Sequence, residues 1–267
     1  MKNKYEEFYY EEDKQNHLVC DYWNLYDKSP LEALEKYEGK IFCPLCELAP
    51  LTVAKGNERR YMKVVETNMS KHAKWCSYRL DKANKKETEY FYEDLDQTDI
   101  QNRLISCLNR MLKKHTPQYG GGMGNLHTVL HRKDKENFFD IETEAKKKKY
   151  LPHRNLYSKQ LETEIDVTRI YYGKCALYLY EYILEGETEV KKYYLKVLNE
   201  YTKKIICDVS ISTYVYKYLE EMFSVIPKEK ENASVFYLCF AGYMEKGKYS
   251  YNCKLKDSRM IVLEKTE

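Results

Sequence analysis

Cys43 and Cys46 stand with two residues between them, and after 25 further residues come His72 and Cys76. Three thiols and one imidazole are the donor set of a tetrahedral zinc site. Cys43-Pro44-Leu45-Cys46 suits a knuckle turn that aims both sulfurs the same way. His72 and Cys76 share one face if their segment is helical, and Ser70 fits as the cap of that helix. Four protein ligands close the coordination shell, which makes such an ion structural rather than catalytic. The competing reading is a set of ordinary reduced cysteines beside a surface histidine. His17 and Cys20 form a further pair that could substitute in the set.

Short elements must position these side chains. Leu51 to Lys55 and Glu58 to Val65 read as two strands around a turn at Gly56-Asn57. Upstream, Ser29-Pro30-Leu31-Glu32 is a helix start, with serine as cap and proline at the first helical position, and Gly39 stops the helix. The expected unit is a knuckle, a hairpin and a short helix joined by one zinc ion. So small a unit buries little apolar surface, so ion binding supplies much of its folding free energy. Phe42-Cys43-Pro44-Leu45-Cys46, Leu51, Gly56 and the arginines that follow resemble the small amino-terminal zinc module of competence-protein CoiA-type proteins. The resemblance covers residues 41–78 and implies a metal role for Cys43, Cys46, His72 and Cys76. In that family the module precedes a nuclease domain. Here the last ligand pair is His72 and Cys76, where the family has two histidines.

The net charge of +3 and pI of about 8.2 fall short of the strongly basic balance of many nucleic-acid binders. Basic residues nonetheless gather around the ligands: Lys55, Arg59, Arg60, Lys63, Lys71, Lys74 and Arg79. They suit phosphates, and Trp75 and the tyrosines suit stacking on bases. The bland alternative is that lysines solvate the finger and that the 28 tyrosines fill cores. No apolar run is long enough for a membrane span and the first residues lack the apolar stretch of a signal peptide, so the expected location is the cytoplasm. Nine cysteines, an odd number, fit a reducing compartment better than a disulfide framework.

Further along, Thr98 opens a helix whose buried stripe is Ile100, Leu104, Cys107, Leu108, Met111 and Leu112. Gly120 to Gly124 reads as a linker. It lacks the preceding strand and following lysine of a phosphate-binding loop. His127 and His131 stand four apart without a nearby partner. Lys146 to Lys149 is a solvated run or a phosphate contact. From Glu162 the texture turns to strands: residues 165–170, 175–184, 190–201 and 203–212. A helix through Val215 to Phe223 follows, then strands over 233–244 and 248–263. The fold class is α+β: an amino-terminal zinc finger with helices over 1–118, a linker over 119–160, and a β-rich domain over 161–267. The strand order is compatible with an OB-like barrel, a fold that often binds single strands.

Three functions fit. The first is a non-enzymatic zinc-finger protein that binds nucleic acid. The second is a zinc-stabilised adaptor or inhibitor, encoded by a mobile element, that binds another protein. The third is a metal-dependent nuclease using Asp166, Glu189 and Lys191. No histidine has a spacing that selects a catalytic partner.

Overall fold

The computed structural model describes residues 5–56, 60–65, 72–94, 97–113, 139–143, 145–158, 167–184, 190–248, 250–255 and 257–266. The chain is α+β and divides into two compact units, Met1–Lys82 with His127–Tyr150, and Ala83–Leu126 with Leu151–Glu267.

In the first unit, β1 (Glu7–Tyr10) pairs with β2 (Gln15–Leu18) on one edge and with β3 (Ile41–Phe42) on the other. Between β2 and β3 run α1 (Val19–Lys28) and α2 (Pro30–Tyr37). The expected punctuation of α2 holds: Ser29 Oγ accepts the Glu32 N–H at 3.4 Å, and Gly39 takes a φ of +73°. The helix α1 is additional to the sequence reading. Its start is satisfied by the Asp21 carboxylate, which accepts the Leu18 N–H at 3.2 Å. Its Tyr22 is buried with Phe8, Tyr37, Ile41 and Met62. Ring contacts of 5.5 Å between Tyr22 and Tyr37 and 5.3 Å between Phe8 and Tyr37 knit this core.

The expected hairpin forms as β4 (Leu51–Lys55) and β5 (Arg60–Val64), with Leu51 opposite Val64 and Lys55 opposite Arg60. A small sheet of β6 (Asp81–Lys82), β7 (Asp140–Glu142) and β8 (Lys148–Tyr150) completes the unit in the order β6-β8-β7. Residues 140–142 and 148–150 therefore supply strands where the sequence reading has a linker, and the lysine run leads into β8. The glycine cluster and both His127 and His131 lie outside the described residues.

The second unit opens with α3 (Lys85–Asp94) and α4 (Gln97–Lys113). Its strands are β9 (His153–Asn155), β10 (Arg169–Leu184), β11 (Val190–Asn199), β12 (Ile205–Ile211), β13 (Ser234–Lys246), β14 (Tyr251–Lys254) and β15 (Ile261–Lys265). Two short helices, α5 (Thr213–Tyr218) and α6 (Glu220–Ser224), lie between β12 and β13. Ser212 Oγ caps α5 by accepting the Val215 N–H at 3.2 Å. The single expected helix breaks at Leu219, whose φ of −112° and ψ of 20° leave the helical region.

Five of these strands close on themselves. β10 pairs with β11, β11 with β12, β12 with β14 in parallel, β14 with β13, and β13 back with β10. β9 and β15 attach outside the ring, to β10 and β13. Two glycines sit where long strands change partners. Gly173 lies between the β9-paired and β11-paired parts of β10. Gly242 lies where β13 passes from β10 to β14. The expected last strand, 248–263, is two strands. The Asp257 carboxylate accepts the Arg259 N–H at 2.9 Å and starts a one-turn 3-10 helix that redirects the chain from β14 to β15. Leu177, Leu195, Val209, Phe236 and Phe240 fill the ring, joined by Val215 and Phe223 from the helices.

The stripe of α4 is the expected one, with Ile100, Leu104, Cys107 and Leu108 buried. However, α4 packs on β13 and β15, so it belongs to the β-rich unit and not to the finger as the sequence reading has it. An apolar stripe fixes that a helix is buried without fixing against what.

Candidate metal centre

The first sulfur pair hangs from the end of β3. Cys43 N–H donates to Ala49 O at 2.8 Å, and Glu47 N–H donates to Cys43 O at 2.9 Å, which closes the knuckle. Glu47 completes the turn with a φ of +58°, the left-handed region, at the residue just after the second sulfur. The second pair is carried differently from expectation. Ala73 to Cys76 is a tight turn closed by Cys76 N–H to Ala73 O at 2.9 Å, followed by a 3-10 turn over Ser77–Arg79. His72 and Cys76 are therefore not on an α-helix, and Ser70 lies outside the described residues. The turn is held from outside by Arg79 Nη1, which donates to Lys74 O at 2.7 Å.

These two turns bring the four donors together. One ligand atom from each of Cys43, Cys46, His72 and Cys76 lies within 4.8 Å of every other, so the group could hold a metal ion. Cys43 Sγ to Cys76 Sγ is 3.8 Å, and His72 Nδ1 is 3.4 Å from both Cys46 Sγ and Cys76 Sγ. A tetrahedral ion with sulfur at about 2.3 Å and nitrogen at about 2.0 Å needs edges of about 3.8 Å and 3.5 Å. The donor set fits such an ion.

Without a cation, the electrostatics favour neutral thiols at two of the three cysteines. The three cysteines are almost wholly buried, where water cannot solvate three thiolates. Burial pushes the Cys43 thiol up to about 12. The Cys43 and Cys46 thiols, then burial, push Cys76 further up. Cys46 alone is drawn down, by hydrogen bonds from Cys43, Cys76 and His72, with the Ala73 N–H also aimed at its sulfur. Several thiolates at this spacing need a cation among them.

One contributor carries no sequence signal. Tyr5 Oη lies 3.0 Å from His72 Nε2, on the ring edge opposite the sulfurs. With Nδ1 on an ion, Nε2 carries the proton and donates to Tyr5, which fixes ring and tautomer. Burial and the three neighbouring cysteines raise the Tyr5 phenol, so it stays neutral. The two residues are 67 apart, and Tyr5 sits in an acidic, aromatic stretch with no metal-type spacing.

The His17–Cys20 pair is not part of the cluster. His17 Nε2 meets Asp13 Oδ2 at 2.7 Å and stacks on Phe8. Of the basic residues, Lys55 lies over the Tyr26 ring at 5.2 Å and Arg60 over Trp23 at 5.3 Å. Arg60 also pairs with Asp27 at 2.6 Å, so the hairpin's cations bind it to α1. Lys63 and Lys74 are exposed. Arg59 and Lys71 lie outside the described residues. Trp75 packs partly buried against the first unit's core. Asp166 and Glu189 also lie outside the described residues, and Lys191 pairs with Glu181 at 2.9 Å. No helix among the described residues is long and apolar enough to cross a membrane.

No family model matches the chain, and neither does any curated protein or solved structure.

Proposed function

We propose that the protein is a non-enzymatic, zinc-stabilised binder of nucleic acid, with the ion holding the first unit and an OB-type barrel forming the second. For the ion, the support is the near-tetrahedral spacing of three sulfurs and one imidazole nitrogen, a soft set that favours zinc among abundant divalent ions. All four positions are filled by protein, so the ion's role is to hold shape. The likeness to the CoiA-type zinc module agrees with that role.

The observation that carries the binding role is the order of the ring. Counted along the chain, its strands run first, second, third, fifth, fourth and back to first. The third and fifth strands are parallel, and the helical segment lies between the third and fourth. That order resembles the wiring of the OB barrel, a fold whose second and third strands bind oligonucleotides and oligosaccharides. The step from fold to ligand is an analogy, and the chemistry of the surface must carry it further. Lys63 and Lys74 on the first unit add exposed cations that suit phosphates.

The test is binding of the zinc-loaded protein to fluorescent oligonucleotides across a salt series. A linear fall of log affinity with log salt is the expected result. Absence of binding at low salt overturns the reading.

A further inference from the structure

We propose that the outward face of β10 and β11 is a stacking platform for single-stranded nucleic acid, an inference that rests on the binding role above and assigns it a surface. The register places Tyr178 opposite Lys196, Tyr180 opposite Tyr194, and Tyr182 opposite Lys192. The alternating residues Leu177, Leu179, Tyr193, Leu195 and Val197 point into the ring core. These six tyrosines and lysines therefore share the outer face. Aromatic residues there do not contribute to the core: Tyr180 and Tyr182 are each 45% exposed.

The face is pre-arranged. Lys196 Nζ lies 5.6 Å from the Tyr180 ring centre and 5.5 Å from that of Tyr194. It is anchored at 2.8 Å to Asp208 Oδ2 on β12, which Ser250 Oγ also contacts at 3.1 Å. The ammonium thus sets the two rings and occupies the neighbouring carboxylate, which would otherwise repel phosphate. Lys192, next to Tyr182, is exposed, as are Lys203 and Lys204 in the turn from β11 to β12. Flat rings interleaved with cations recognise bases whose faces are open together with a backbone of phosphates, which is single-stranded DNA or RNA. A duplex hides those faces. On the first unit, by contrast, Lys55 and Arg60 are already engaged with Tyr26 and Trp23.

The experiment uses the full zinc-loaded chain and fluorescence anisotropy with labelled oligo(dT), oligo(rU) and a duplex of equal length. Tyr180→Ala/Tyr182→Ala removes two exposed rings and should weaken single-strand binding at least about 30-fold, given typical stacking losses per base at each ring. Tyr214→Ala/Tyr218→Ala, which removes two exposed tyrosines from α5, should leave affinity unchanged. Photocrosslinking of the unaltered protein to a halogenated single strand should label Tyr180, Tyr182 or Tyr194, independently of how the variants fold. Tighter binding of oligo(dT) and oligo(rU) than of the duplex supports the platform, and a preference for one of the two strands names its source. Unchanged affinity in Tyr180→Ala/Tyr182→Ala, with loss in Lys63→Glu/Lys74→Glu, overturns the platform while leaving the binding role intact. Preference for duplex, or crosslinks confined to the first unit, also overturns it. No binding by the unaltered protein overturns both.

Discussion

The cluster of Cys43, Cys46, His72 and Cys76 depends on a residue outside it. Tyr5 is the hydroxyl that holds His72 Nε2, leaving Nδ1 to face the sulfurs. Loss of such a partner lowers metal affinity by about 10- to 100-fold in comparable sites. Tyr5→Phe keeps the ring that stacks on Tyr78 at 5.0 Å and removes only the hydroxyl. It should weaken zinc about tenfold in competition with a chromophoric chelator, with little change in the metal-loaded fold. Equal zinc affinity in the variant would remove Tyr5 from the site. The four ligands themselves were legible in the sequence because two short spacings, Cys43 to Cys46 and His72 to Cys76, mark them. Tyr5 was not, since nothing local ties residue 5 to residue 72.

At the scale of elements, the ring needs glycine where β13 changes partners. A Cβ on Gly242 would lie 2.5 Å from Cys253 Sγ and 3.2 Å from Lys254 O. Gly242→Ala should therefore cost about 1–3 kcal/mol of second-unit stability by overpacking. Adding Cys253→Ala should restore part of it, because the sulfur is the closest atom, and denaturant midpoints of the single and double variants decide the point. Most strands were legible as apolar and β-branched runs, and α2 as a capped helix from Ser29. Among the features that were not, two show the physical reason. The i,i+4 spacing of His72 and Cys76 suggests a helix, yet a turn with one 2.9 Å hydrogen bond and the Arg79 bond to Lys74 presents both donors equally well. The split of the last strand is likewise hidden. β14 (Tyr251–Lys254) and β15 (Ile261–Lys265) lie on either side of the 3-10 turn that Asp257 starts, and they take different partners, β12 and β13 for one and β13 alone for the other. Pairings of that kind are set by tertiary contacts and leave no local period.

For the whole molecule, the two units reach stability by different means. The second fills a closed ring with a long list of aliphatic and aromatic side chains. The first gathers aromatic residues around a short sheet, and its core includes the three cysteines themselves. Three thiolates at this spacing would need a cation to balance them inside that core, so metal binding would be linked to the fold of this unit. With a net charge of only +3, the proposed attraction to nucleic acid would rest on local patches such as the lysines beside Tyr180 and Tyr182. The most direct test of the central claim is X-ray absorption on the protein as purified. The account predicts one zinc per chain with three sulfurs at about 2.3 Å and one nitrogen at about 2.0 Å. A folded protein without bound metal, or a first shell of oxygen and nitrogen alone, would contradict it.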